Sequence, residues 1–273
     1  MKIDSHHHFW SPARGDYGWM SGSGLEHLRK PFLPPDLEPH LKMFGIDRTV
    51  LVQAAPTVNE TEYLLGVADA TDFVGKVVGW IDFENHADLK HLQRLANHSK
   101  FSGVRPMIQD LPDTNWMHRK DVAWAFDAII DLDLTFDALG FPVHIEPFQR
   151  LFDRYPTMRI VIDHGMKPRI GEAEFTDWAT GMHQLAETTP AFCKLSGLAT
   201  EANPGWSVAN LAAYARHIIK SFGASRVMWG SDWPVLEMNG SYPSWHNAAQ
   251  LCVENAEKDY VFGRTAGEFY RIK

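Results

Sequence analysis

The first residues able to do chemistry arrive at once, in Asp4-Ser5-His6-His7-His8-Phe9-Trp10. In an extended strand alternate side chains share a face, so His6 and His8 point one way and His7 the other. Two imidazoles on one face at a strand end can grip a metal ion or polarise a substrate oxygen. Three further apolar runs end in polar groups of complementary type. Ile160-Val161-Ile162 ends in Asp163-His164, Val227-Met228-Trp229 leads through Gly230-Ser231 to Asp232, and Gly103-Val104 ends in Arg105. Each has an ordinary structural role when taken alone: Asp232 as a helix cap, His164 as a bonded core residue, Arg105 as a partner for Asp82. Their recurrence at strand ends favours a shared site, provided one fold gathers those ends.

The elements that would gather them are legible as short β-branched or apolar runs, each followed by a helical pattern. The runs are residues 2–8, 48–54, 76–82, 103–108, 134–139, 159–164, 192–198 and 226–230. They start roughly 25 to 46 residues apart, the length of a strand, a helix and two loops. Between them, Leu211, Tyr214, Ala215, Ile218, Ile219 and Phe222 follow helical spacing, with Ser207 before the start and Gly223 after the end. Val122, Ala125, Phe126, Ile129 and Ile130 repeat that spacing, as do Leu89, Leu92 and Ala96. Alternating strands and helices predict a parallel sheet covered by helices, and eight units predict closure into a (β/α)8 TIM barrel. The expected organisation is a single domain over residues 1–273, with a long aromatic- and proline-rich loop at 9–36 lying over the mouth where active sites sit.

Composition removes several function classes. The 34 acids outnumber the 26 bases for a net charge of −8, the wrong sign for a general nucleic-acid binder. No apolar run approaches the roughly 18 residues of a membrane span, and the N-terminus carries no signal-like apolar core. Two cysteines, Cys193 and Cys252, make neither a disulfide framework nor a cysteine zinc site, and point to a cytoplasmic protein. Cys193 lies inside an apolar strand and reads as a core residue. No G-x-G-x-x-G, G-x-S-x-G, H-E-x-x-H or P-loop is present. His86, His91, His98, His183 and His217 fall beside polar residues in helical patterns and read as surface groups.

With these residues in hand, the chain resembles the amidohydrolase superfamily, and within it the amidohydrolase-related lactonases of sugar lactones and of pyrone or muconolactone acids. The matching motifs run in order along the chain. They are D-x-H-x-H-F-W at 4–10, Gly79-Trp80-Ile81-Asp82, Gly103-Val104-Arg105, Phe136-Asp137, I-D-H-x-x-K-P at 162–168, C-K-L-S-G-L at 193–198, G-S-D-W-P-V at 230–235, and the closing Phe262-Gly263 with Ala266 and Phe269-Tyr270. The resemblance implies that His6, His8, His164 and Asp232 occupy metal-binding or substrate-polarising positions. It implies a general base at Asp232, taking a proton from the water that attacks a lactone carbonyl, with His164 and Arg105 or a metal stabilising the oxyanion. Trp10, Tyr17, Trp19 and Trp80 are candidate walls for a sugar ring, and Arg105, Lys167 and Lys194 candidate contacts to substrate oxygens. A salt bridge to Asp82 or Glu201 is the structural alternative for the two lysines.

The chain departs from the wider superfamily around residues 134–144, where Asp137 and His144 occur without the lysine or glutamate that bridges two metals. A single divalent ion, zinc by the ligand types, or metal-free catalysis both stay open. Met166 stands where the resembled family usually carries glycine. The reading is therefore a hydrolase opening the lactone of a sugar acid or related carboxylic acid. Its alternatives are a metal-dependent decarboxylase of an aromatic or muconate-type acid, and a non-catalytic binding barrel. The expected partner is a small-molecule lactone, with no nucleic acid or membrane; the sequence sets no oligomeric state.

Overall fold

The computed structural model describes all of residues 1–273. Eight strands, β1 (Ile3–His7), β2 (Arg48–Val52), β3 (Val74–Gly79), β4 (Phe101–Val104), β5 (Thr135–Ala138), β6 (Arg159–Ile162), β7 (Phe192–Leu195) and β8 (Val227–Trp229), pair in chain order as one parallel sheet. Between and after them run α1 (Pro34–Phe44), α2 (Val58–Asp69), α3 (Leu89–Ala96), α4 (Ala123–Asp131), α5 (Ile145–Arg154), α6 (Thr176–Thr188), α7 (Val208–Phe222), α8 (Tyr242–Cys252) and α9 (Thr265–Tyr270). This is the single-domain (β/α)8 barrel that the spacing predicts. Every expected strand is present, but most end short of the expected run, because the last residues turn out of the ladder at the barrel mouth. No helix is long and apolar enough to cross a membrane.

Two apolar cores follow from the closed sheet. The larger lies between the strands and the surrounding helices. In α7 the predicted stripe of Leu211, Tyr214, Ala215, Ile218, Ile219 and Phe222 is buried, and Asn210 Oδ1 accepts from Ser207 N at 2.8 Å to cap the helix start. The smaller core fills the barrel itself, where Ile3, Val50, Val78, Val161 and Met228 meet Phe269 and Tyr270 of α9. The C-terminal helix thus packs against the residues of the barrel interior.

Closure between β8 and β1 uses side chains more than a ladder. One bridge pairs His7 with Trp233. Around it, Ser5 Oγ donates to Trp229 O at 2.8 Å, and Asp4 Oδ1 accepts from Ser231 N at 2.8 Å. The second oxygen of Asp4 accepts from Tyr242 OH at 3.1 Å. Burial pushes the Asp4 carboxyl up to about 6, although bonds from Ser231, His6 and Tyr242 pull the other way, so it is mostly ionised at neutral pH. Gly230 is required by this seam, since a Cβ there would sit 2.7 Å from the Cβ of His6. The strand-to-strand approach that places the histidine motif beside the last strand depends on these contacts.

Replacing Asp4 by alanine removes a buried acceptor from three donors, and the expected loss is about 3 kcal/mol of unfolding free energy, measured by urea denaturation. Asp4→Asn keeps one acceptor oxygen and is expected to lose about 1 kcal/mol.

Candidate active site

At the C-terminal ends of the strands, a cavity of about 300 Å³ opens beneath the long first loop, which ends at Leu33 rather than at the expected 36 because Pro34 begins α1. His8, Arg105, His164, Lys167 and Asp232, with Gln109 and Asp110, supply its polar wall, and Trp10, Trp19, Leu25, Leu139, Val235 and Met238 most of its apolar wall. The long loop is held in place by Trp10, whose indole N–H donates to Leu28 O at 3.1 Å and whose backbone bridges Phe32. Trp19 is anchored in turn, its indole N–H donating to Ala54 O at 2.8 Å.

The expected pairing of His6 with His8 holds, with ring centroids 5.0 Å apart, even though the β1–β2 register shifts between Asp4 and His7. His7 points away and bonds Thr49 Oγ1 at 2.8 Å. Asp232 faces three imidazoles. Its Oδ1 lies 3.4 Å from His8 Nε2, 3.7 Å from His6 Nε2 and 3.9 Å from His164 Nε2. Burial disfavours charge on Asp232, but His164, His8 and His6 outweigh it and hold the carboxyl well below the usual range. Asp232 is therefore an anion at neutral pH and can accept a proton. Burial also lowers His164 to about 4, so this ring is neutral near pH 7, and its Nδ1 contacts Ser196 Oγ at 2.8 Å.

Backbone strain marks the same positions. Asp232 has φ 59°, and His164, Met166 and Lys167 have φ 54°, 62° and 47°. Left-handed non-glycine residues cost about 1–3 kcal/mol each and persist where surrounding contacts fix them. Here Asp232 N donates to His6 O at 2.8 Å and His8 N to Trp233 O at 2.7 Å. The left-handed φ at Met166 supplies a physical reason for glycine at that position. Met166 itself is buried and turned away from the cavity lining.

His8 also tests whether a metal fits. Its Nδ1 donates to the Val52 carbonyl at 2.8 Å, so in the neutral ring Nε2 carries a lone pair facing the Asp232 carboxylate. Two acceptors facing each other call for a proton or a cation between them. Ligand atoms of His6, His8 and Asp232 lie within 4.8 Å of one another, as do those of His6, Asp163 and His164. A nitrogen and carboxylate donor set of this kind suits zinc.

Three candidate substrate contacts lie elsewhere. Lys194 is fully buried in the barrel below the cavity, with Nζ 2.5 Å from Asp137 Oδ2, 3.0 Å from Asp163 Oδ1 and 3.1 Å from His6 Nδ1. It is fully buried and does not line the cavity, and neither Asp82 nor Glu201 is its partner. Tyr17 lines a separate groove beside Pro12 and Arg29, and Trp80 lines the cleft next to the cavity. Both follow from loop paths that the sequence does not encode as a period. Lys167 does line the cavity, with Nζ 5.5 Å from the centre of the Phe141 ring and no carboxylate in salt-bridge range.

Two further residues support the site without a role expected from the sequence. Asp163 joins Arg105 NH1 at 3.4 Å and Lys194, while Lys194 and His6 outweigh the burial that opposes its charge and hold it well below the usual carboxylate range. Gln53 Nε2 donates to Arg105 O at 2.8 Å and Arg105 NH2 donates back to Gln53 O at 2.5 Å, fixing the guanidinium at 4% exposure. Asp163 was visible as half of a charged strand end. Gln53 carried no such signal, being one polar residue in an apolar run.

The family model for amidohydrolases matches residues 3–272. An L-fucono-1,5-lactonase of Burkholderia ambifaria is 41% identical to this chain, across 100% of it and 96% of the relative. An L-fucono-1,5-lactonase of Burkholderia multivorans is 30% identical, across 100% of this chain and 96% of the relative. A crystal structure of an amidohydrolase from Burkholderia multivorans with bound zinc superposes with a TM-score of 0.93 at 28% identity, covering 100% of both chains.

Lys194→Met is expected to lower unfolding free energy by about 3–5 kcal/mol, because it strands Asp137 and Asp163 in the barrel. Chemical denaturation reads this; a substrate contact would instead leave stability intact and raise KM.

Proposed function

The chain belongs to the amidohydrolase family, and from that premise we propose that it opens the 1,5-lactone of a sugar acid, with Asp232 activating the attacking water. The observation that carries this reading is one carboxylate at the cavity wall, with three imidazoles around its Oδ1 and a buried arginine on the same wall. L-Fucono-1,5-lactone, the substrate named for the two curated relatives, is the substrate proposed here. Its C6 methyl suits the apolar wall built from Trp10, Leu25, Leu139 and Met238. Those relatives also set the decarboxylase and binding-barrel alternatives aside. The free, buried Cys193 and Cys252 support a cytoplasmic setting.

The residues divide the work as follows. Asp232 accepts a proton from water as the water oxygen bonds to the lactone carbonyl carbon. The negative charge that develops on the carbonyl oxygen is met by Arg105 and by the neutral His164 as a hydrogen-bond donor. Collapse of the adduct breaks the bond to the ring oxygen, which takes the proton held by Asp232 and leaves as a hydroxyl. The new carboxylic acid ionises and releases one proton. Lys167 bonds substrate hydroxyls and orients the ring against the tryptophans. A zinc ion held by His6, His8 and Asp232 would supply further polarisation of the carbonyl oxygen.

Asp232→Asn is expected to lower kcat on L-fucono-1,5-lactone by about 10²–10⁴ with an unchanged fold. Proton release and circular dichroism check both, and full turnover by the folded variant would contradict the assignment. Lys167→Met is expected to raise KM about tenfold or more while kcat stays within a few fold, as loss of uniform binding requires.

A further inference from the structure

Beside the lactone cavity lies a second cleft of about 500 Å³. Trp19, Met107 and Asp110 line both spaces, so the two are neighbours across a shared wall. That wall is fixed, because Ala54 O holds the indole of Trp19 at 2.8 Å. The cleft is aromatic, with the partly exposed rings of Trp80 and Trp19 backed by the buried Phe83 and Trp116. Aromatic faces of this kind stack on the C–H face of a sugar ring.

Its polar groups point to a neutral, hydroxyl-rich ligand. No lysine, arginine or histidine lines the cleft, whereas Asp16, Asp82, Glu84 and Asp110 do, so an anion would meet only acceptors. Two of the four acids are already paired, Asp16 with Arg14 at 2.8 Å and Glu84 with Arg119 at 3.1 Å. Asp82 accepts only from Glu84 N at 2.9 Å and Asp110 only from Gln109 Nε2 at 3.3 Å, each through Oδ1, which leaves each Oδ2 free. The Trp80 indole N–H makes no hydrogen bond within the protein. Two free carboxylate acceptors, one free donor and the exposed ring surface of Trp80 and Trp19 match the hydroxyls and C–H face of one pyranose.

We propose that this cleft is a subsite for a neutral hexosyl group carried on the lactone, so that the chain accepts glycosylated sugar-acid 1,5-lactones. The proposal rests on the lactonase reading, and it adds a second ring to the substrate. One ring would occupy the 300 Å³ cavity with its carbonyl at Asp232, and the other would pass Trp19 and Asp110 to stack on Trp80.

The test compares L-fucono-1,5-lactone with its three mono-galactosylated forms, substituted at O2, O3 or O4, by proton release. At least one glycoside is expected to show kcat/KM about tenfold above the free lactone, the size of one aromatic stacking contact. Trp80→Ala is expected to erase that gain while leaving kcat/KM for the free lactone within about twofold, and Trp80→Phe to restore most of it. Equal or lower kcat/KM for all three glycosides overturns the proposal, as does an equal loss on both substrate types in Trp80→Ala. Failure to open any lactone would defeat the lactonase reading, and the cleft is then judged by binding alone. Quenching of tryptophan fluorescence by methyl β-D-galactopyranoside that Trp80→Ala abolishes supports a sugar site. Absence of that quenching, or quenching by tetramethylammonium alone, overturns it.

Discussion

Everything at the barrel mouth is arranged around a carboxylate that burial alone would neutralise. Asp232 is 5% exposed, and three imidazole rings lie within 4 Å of its Oδ1. The position of that carboxylate is set by the backbone, because its own N–H is bonded to the carbonyl of His6. One seam therefore brings the base and the histidine motif together. A carboxylate placed in this way has its acceptor fixed before substrate arrives, which is the preorganisation that electrostatic catalysis requires.

Beneath the site a second polar layer does for His6 what the seam does for Asp232. Lys194, Asp137, Asp163 and the hydroxyl of Tyr270 fill the barrel axis, with Tyr270 OH donating to Asp137 Oδ2 at 2.7 Å. Polar groups at that depth cost desolvation, which their mutual contacts offset. The layer ties the C-terminal helix α9 to the first strand, so the end of the chain supports the orientation of a histidine near its start.

The fold was legible because eight apolar runs and their helical partners recur at a spacing that only a repeated strand–helix unit explains. The positions of His6, His8, His164, Arg105 and Asp232 were legible for a related reason, since a polar residue ending an apolar strand points at the mouth of a barrel. Depth was not legible. Lys194 sits in a motif like the others, but it is fully buried and outside the cavity lining, and strand position within a barrel depends on shear rather than on local pattern. Tyr17 lines a separate groove and Trp80 the neighbouring cleft rather than the cavity itself, because loops follow contacts rather than periods. Gln53 gave no signal at all, although it fixes Arg105 from the neighbouring strand end.

The most direct measurement is the fate of the water oxygen during turnover of L-fucono-1,5-lactone in ¹⁸O-labelled water. Attack at the carbonyl carbon places one label in the carboxylate of the product and none in the hydroxyl released from the ring. Label in that hydroxyl would show cleavage at the ring carbon instead, and would contradict a mechanism in which water activated at Asp232 adds to the carbonyl.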